Sequence, residues 1–586
     1  MAALLAAYVL VVANTLGQPL LERHRFRQTQ TAYTARVFHE QGIDLLHPKL
    51  PVFGEPFEVP FEFPLFQAAA SVVMDTGVGE DLAMRLTGLA CFLLTALLLY
   101  GLVRHVAGRP SAIAALVAFV FTPLSLLWGR TSMIEYLATA GAIGFAWAAI
   151  VWRERQQPAV GGLALAAGLV GMLVKPTTAV FWLLPPLLYR PRSDVVGRST
   201  GRRRALASTV VLALVPLATA WLWARHADAI KAASPPTAWL TSGELVDWNF
   251  GSLAQRSNSG VREQIYQRVF DLVIGPGGVA MLAVAVVAAV RSAQAMFWLS
   301  IGLAAVLPPL VFTNLYWQHD YYFIAISPAL AALIGLGAGF LWQLLPRHPV
   351  VLVSASLVGL ALAYGTVDGD REYWHVIKID DPDTAIPAYA REVAGNTLPA
   401  DRVGLVGLDW SPAVLYYARR WGHMVVSGNE DLSYDDIHED GYRYLFVANP
   451  TEADLTPLSR WPWLGALGPH SYAIADDPSE LGTSQFISTD DPSALVLAGK
   501  ALSTSIRVRC GPPARLRSGL AGTMLRISNP SRGGRVSVSD ELAPLPTRQT
   551  MFVGPRLANP GSLILTCSGQ RSLAIDVFDA PLPSDS

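Results

Sequence analysis

A few short segments carry most of the side chains able to do chemistry. HRFRQTQTAYTARVFHEQG (His24 to Gly42) sets Arg27, Gln28, Gln30, Thr31 and Arg36 close together, and FGEPFEVPFEFPLFQ (Phe53 to Gln67) adds Glu55, Glu58 and Glu62. WGRTSMIEY holds Arg130 and Glu135, VKPTT holds Lys175, and NLYWQHDYY holds His319, Asp320, Tyr321 and Tyr322. A carboxylate can accept a proton, and guanidinium or ammonium groups can hold an anion. Each residue also has a plain structural alternative. Arg130 can pair with Glu135, Lys175 can snorkel to the surface, His319 can be a satisfied interface histidine, and Asp320 can cap the helix that follows. Arg256 and Arg262 fit either solvated arginines or phosphate contacts.

The elements that must position these residues are membrane helices. The 586 residues are 52% hydrophobic and 15% charged, against roughly 25% charged in a soluble protein. A net charge of −1 gives no reason to expect nucleic acid as a partner. Apolar blocks fall near 3–20, 83–103, 111–128, 135–152, 159–174, 178–189, 206–224, 273–290, 294–313, 321–343 and 349–366, eleven in all. Blocks of about 17–25 residues are long enough to cross a bilayer. The 178–189 block is short and reads as a half-helix or a tilted continuation past Lys175-Pro176. The first block is not read as a cleaved signal peptide, since it lacks a basic n-region and a small-residue cleavage site.

Arginine gathers in alternate connections: Arg104 and Arg109, Arg153 and Arg155, a group from Arg190 to Arg204, Arg291 and Arg347. By the positive-inside rule these are cytoplasmic. The N-terminus then starts inside, and loops 22–82 and 225–272 and everything after residue 367 lie outside, in a multi-pass protein of the cell inner (plasma) membrane. The segments quoted above all fall on the outer face, which predicts a one-sided polar cavity there. RQTQTAYTAR is expected as a helix lying in the interface, with Tyr33, Val37 and Phe38 on its apolar side. Ionisable groups near membrane depth mark function or a specific pair.

The chain divides into a membrane part (1–366), an α/β domain (367–469) and a β-rich module (470–586). In the α/β part, TAIPAYAREVAGN and SPAVLYYARRW read as helices, and RVGLVGL and YRYLFVAN as strands. Alternating runs such as LRISN and SLILTCS give the last part a β-sandwich-like pattern. This tail reads as a structural or acceptor-docking cap. Cys91 is a packing residue, whereas Cys510 and Cys567, on the exported side, are expected to form a disulfide.

The Arg-Gln helix, the Glu-Phe-Pro-Leu return from Glu62 and the His-x-Tyr-Tyr from His319 resemble the GT-C superfamily of integral-membrane glycosyltransferases. DWSPAVLYYARRWG (Asp409 to Gly422) does so too, and the chain is similar to protein O-mannosyltransferases and the lipid A aminoarabinose transferase. The resemblance covers about residues 1–366 and the α/β half of the tail. It implies a membrane all-α bundle and an inverting transfer from a polyprenyl-phosphate-linked sugar to an extracytoplasmic acceptor, whether protein, lipid or cell-envelope glycan. The family's acidic pair, eight and nine residues before the arginine matched by Arg36, is Gln28 and Arg27 here. The base implied is therefore elsewhere: Glu62 first, then Glu58 and Glu135, with Glu22 after them. Arg27, Gln28, Gln30, Thr31, Arg36, Arg130, Lys175, Arg256, Arg262, His319, Tyr321 and Tyr322 are the implied substrate-binding residues. A divalent cation, Mg or Mn, is compatible with the chemistry, with no ligand set assigned. The other readings are a glycolipid transporter or flippase, which predicts an inverted repeat, and an inactive glycan-binding scaffold.

Overall fold

The structure, a computed structural model, describes residues 1–191, 199–344, 377–379, 386–425, 437, 440–442 and 444–448, and beyond them the backbone of strands. It divides into two compact units, Met1–Lys49 with Glu58–Ala385 and Leu50–Phe57 with Ile386–Ser586.

The first unit is helical. Its main helices are α1 (Ala2–Val12), α2 (Arg25–Gln41), α3 (Leu65–Met74), α4 (Glu80–Ala107), α5 (Arg109–Val120), α6 (Glu135–Arg155), α7 (Pro158–Val174), α8 (Pro176–Leu188), α9 (Ser199–Ala232), α10 (Ser259–Arg291), α11 (Ala295–Val311) and α12 (Ser327–Leu344). Among the described residues, α4, α6, α10, α12 and most of α9 are long and apolar enough to cross a membrane. Of the ten expected blocks that lie among the described residues, five give helices of full length and the other five give shorter ones. Proline explains two of the breaks, because it lacks the N–H a continuing helix needs. Pro123 opens a separate helix, Pro123–Trp128, inside the 111–128 block, and Pro176 starts a new helix directly after Lys175. The 349–366 block lies outside the described residues.

Helix α4 opens with Glu80 and Asp81 and closes on Arg104 and His105, charges that suit the helix dipole. The antiparallel pair α6 and α7 is packed backbone to backbone. A Cβ on Gly141 would stand 2.4 Å from the Gly171 nitrogen, the small-residue packing typical of bilayer helices. Phe145 and Ala149 of α6 cluster with Ala164 of α7 and Ala213 of α9. This tight pairing brings the start of α6, Glu135, level with the end of α7, at Lys175. At the other end of the bundle, Arg153 of α6 donates to the carbonyls of Pro186 (2.6 Å), Leu187 (3.0 Å) and Tyr189 (2.7 Å), completing the end of α8.

The second unit holds α13 (Ala388–Asn396), α14 (Ala413–Ala418) and a five-stranded sheet in the order β2-β1-β3-β5-β4. Its strands are β1 (Arg402–Val406), β2 (Trp421–Met424), β3 (Tyr444–Val447), β4 (Trp463–Ala466) and β5 (Ser471–Ala475). β1 pairs in parallel with β2 and β3, while β5 is antiparallel to β3 and β4. The free edge of β2 is covered by residues 50–57. The Gly422 and Met424 amides donate to the Pro51 and Val52 carbonyls at 3.1 and 2.8 Å, and Phe53 and His423 form an antiparallel bridge. Part of the 22–82 loop therefore belongs to this sheet, with Phe57 edge-on to Trp421 and Glu55 paired with Arg402. Seven further strands, β6 (Leu502–Arg509), β7 (Ala514–Arg515), β8 (Thr523–Ser528), β9 (Arg535–Val538), β10 (Thr550–Val553), β11 (Ile564–Ser568) and β12 (Ser572–Asp579), form antiparallel sheets in the orders β10-β8-β12-β6 and β7-β11-β9. Cys510 lies outside the described residues, and of Cys567 only the backbone, in β11 (Ile564–Ser568), is described.

Candidate active site

Helix α2 does not lie in an interface. Residues 28 to 38 are buried on every side, so the helix is an internal wall of the first unit. Arg27, Gln30, Thr31 and Thr34, three or four residues apart, share one of its faces. The return segment brings Glu62 against that face. The Arg27 Nη2 lies 2.9 Å from Glu62 Oε2, its Nη1 donates to Gln30 Oε1 at 2.8 Å, and Gln67 of α3 donates to Glu62 Oε1 at 3.0 Å. Gln30, Thr31, Thr34, Phe61, Glu62 and Gln67 line a small, partly open pocket. Burial alone would raise the Glu62 carboxyl, but Arg27 opposite it prevails and holds it below the usual carboxylate range. Glu62 is therefore ionised at ordinary pH, and the same pairing raises Arg27.

A second pair stands beside the first. Lys175 does not snorkel: it is buried, its Nζ paired with Glu135 and lying 4.1 Å above the Tyr322 ring and 5.2 Å from that of Tyr321. Glu135 Oε2 is buried and has no partner. Nor does Asp320 cap a helix. Arg23 Nε approaches one of its oxygens at 2.6 Å and His24 the other at 3.1 Å. His319 stacks on Tyr321 and is edge-on to His24. Burial, His24 and Lys175 push it down to about 3, so it is a neutral imidazole.

Other expected residues are placed elsewhere. Arg130 does not pair with Glu135. It shares Glu22 with Arg85, in a wholly buried triad with Arg130 at 3.1 Å and Arg85 at 2.7 Å from Glu22 Oε1. Glu22 is thus a structural anion rather than an available base. Arg36 pairs with Glu80 at the start of α4, its Nε 2.7 Å from the carboxylate. Gln28 donates to the Arg23 carbonyl, while its Oε1 is buried without a partner. Glu58 is half-buried in a backbone bridge with Lys49 and does not line the pocket. Arg256 is half-buried and donates to the carbonyls of Phe250 and Val311, whereas Arg262 is exposed. Sequence reasoning missed Arg23, His24, Thr34 and Gln67. Gln67 was visible five residues beyond Glu62, but attention to carboxylates passes over a neutral amide.

Among the described residues no three His, Cys, Asp or Glu side chains could hold a metal ion together. Glu62, Glu135 and Asp320 each already hold a cationic side chain of this chain, so this donor set does not fit a Mg or Mn ion.

Residues 58–223 match the family model described as dolichyl-phosphate-mannose-protein mannosyltransferase. The crystal structure of ArnT from Cupriavidus metallidurans bound to undecaprenyl phosphate is similar over 82% of this chain and 98% of that one, with 15% identity and a TM-score of 0.56. This chain resembles the GT-C glycosyltransferases. The arabinofuranosyltransferase AftD from Mycobacteria is similar over 98% of this chain and 60% of that one, with 12% identity and a TM-score of 0.51. No curated protein matches the sequence. The GT-C-like match to the family model begins at Glu58, so Glu62, Gln67, Glu135 and Lys175 fall inside it and α2 precedes it.

Proposed function

We propose that this chain is an inverting glycosyltransferase that moves a sugar from a polyprenyl-phosphate donor to an extracytoplasmic acceptor: a protein, a lipid or a cell-envelope glycan. The observation that carries the reading is the pair of buried cation–carboxylate contacts, Arg27–Glu62 and Lys175–Glu135, at one end of a GT-C-like bundle beside a polar pocket. ArnT, whose fold this chain resembles, was crystallised bound to undecaprenyl phosphate. Arg104, Arg153 and Arg155 stand at the far ends of α4 and α6, and the positive-inside rule puts that end in the cytoplasm. Residues 1–366 would then carry the transfer, with 367–469 and 470–586 docking the acceptor.

In the reaction, the acceptor oxygen bonds to the anomeric carbon as the bond from that carbon to the phosphate oxygen breaks. The hydroxyl proton passes to Glu62, and the polyprenyl phosphate leaves with its charge held by Lys175. Arg27 keeps Glu62 ionised and therefore able to take that proton. His319, neutral, and the Tyr321 and Tyr322 rings form a wall that fixes Lys175. The test is mass spectrometry of lipids that copurify with the detergent-extracted protein, followed by a thermal-shift titration with polyprenyl phosphate. Copurifying polyprenyl phosphate or its sugar ester, with stabilisation by added lipid, is the expected result. Bulk phospholipid alone with no shift would overturn the reading.

A further inference from the structure

Among the described residues, the charges at the pocket beside Glu62 are already paired. Glu62 is its one ionised lining residue, and each of its oxygens already accepts a hydrogen bond, from Arg27 and from Gln67. Arg27 in turn is committed to Glu62 and Gln30. Lys175 is paired with Glu135, and Lys231, whose Nζ lies 5.8 Å from the Phe61 ring, is held by Asp228 at 3.2 Å and by the Leu240 carbonyl at 2.6 Å. The other polar lining groups are hydroxyls and amides: Gln30, Thr31, Thr34 and Gln67.

Gln67 is the informative one. It is 5% exposed, and its Oε1 has no partner. An ionised carboxylate only accepts hydrogen bonds, so the amide nitrogen must face Glu62 and the oxygen must point away from it. A buried acceptor left without a donor is costly. A ligand hydroxyl would satisfy it, and apolar Val59 and Phe61 beside it suit the C–H face of a sugar ring.

From this geometry we infer that the pocket selects an uncharged sugar bearing free hydroxyls, and discriminates against amino sugars and uronic acids, with Gln67 as the specificity-determining residue. This rests on the transferase reading above. An ammonium or carboxylate group would add a net charge beside Arg27 and Glu62, which already neutralise each other. Among the described residues no further charged side chain lines the pocket, and burying a charge without a counter-charge is unfavourable.

The test uses the full-length protein in nanodiscs and compares binding of sugar-free polyprenyl phosphate with that of its esters of a neutral hexose, an amino sugar and a uronic acid. The neutral ester should bind at least about tenfold more tightly than either charged ester, a difference of about 1.4 kcal/mol. Gln67→Leu should abolish that advantage while leaving affinity for the sugar-free lipid unchanged. Gln67→Glu should move the preference towards the amino sugar. Equal or tighter binding of a charged ester to the unmodified protein, or an unchanged preference in both variants, would overturn the inference while leaving the donor class standing. Failure of the sugar-free lipid to bind would instead overturn the transferase reading, and this inference with it.

Discussion

Arg27 and Glu62 lie 35 residues apart in the chain and face each other at 2.9 Å, one from a buried helix and one from the proline-rich return. The arginine comes from the first turn of α2, and the carboxylate from the return segment that follows the same loop.

Glu62→Gln should lower turnover by about 10²–10⁴-fold, the usual contribution of a positioned general base. Binding of polyprenyl phosphate should stay within about twofold, since the phosphate meets Lys175 and an amide can still accept from Arg27. Single-turnover assays beside lipid titrations separate the two. Full activity in this variant would remove Glu62 from the mechanism and favour Glu135 or a scaffold role.

Lys175 and Glu135 should behave as a buried pair. Lys175→Met or Glu135→Gln alone leaves a charge without its partner and should destabilise the protein by about 3–5 kcal/mol, whereas the double variant should recover most of that. Lipid affinity should fall whenever Lys175 is replaced, in the single or the double variant. Thermal unfolding and lipid titration on the four proteins test both statements. Additive stabilities would show that the pair is not coupled.

His319, pushed down to about 3 among His24, Lys175, Asp320 and Arg27, makes a directional pH prediction. The unfolded chain takes up a proton at this histidine below its ordinary value of about 6.5, and the folded protein does not until about 3. Between those values the unfolded state binds more protons, so stability falls as the pH is lowered. Glu62 adds nothing to this window at its upper end, because its carboxyl sits below the usual range and its contribution is lost only under still more acid conditions. His319→Gln should therefore flatten the loss of thermal stability between pH 6.5 and about 4.5. A parallel slope in both proteins would assign the effect to another group.

Gly54 predicts the fate of the strand added to β2. Its φ is +76°, and a Cβ there would stand 2.8 Å from Nδ1 of His423. Gly54→Ala should cost about 1–2 kcal/mol from the left-handed backbone alone, with the clash in addition. Faster proteolysis within residues 43–57 of the variant would report release of that strand. An unchanged digestion pattern would mean that the pairing with Gly422 and Met424 tolerates the strain.

Composition and the spacing of apolar blocks determined that this is a multi-pass membrane protein, because about twenty apolar residues in a row have few other stable environments. The order of the polar segments carried the GT-C resemblance, and the helices and strands of the α/β tail followed from local periodicity: TAIPAYAREVAGN contains α13, and RVGLVGL contains β1. What the sequence left open was partnership. Arg130 and Glu135 are five residues apart and looked like a pair. Each instead found a partner from a distant segment, Arg130 with Glu22 and Glu135 with Lys175. A buried ion pair is fixed by which helix ends meet, and here the meeting of α6 and α7 depends on two glycines thirty residues apart, Gly141 and Gly171. The same holds for the pocket: the Gln67 oxygen acquires meaning only once Glu62 has taken the nitrogen of the same amide, a constraint set by tertiary contact and by no local pattern.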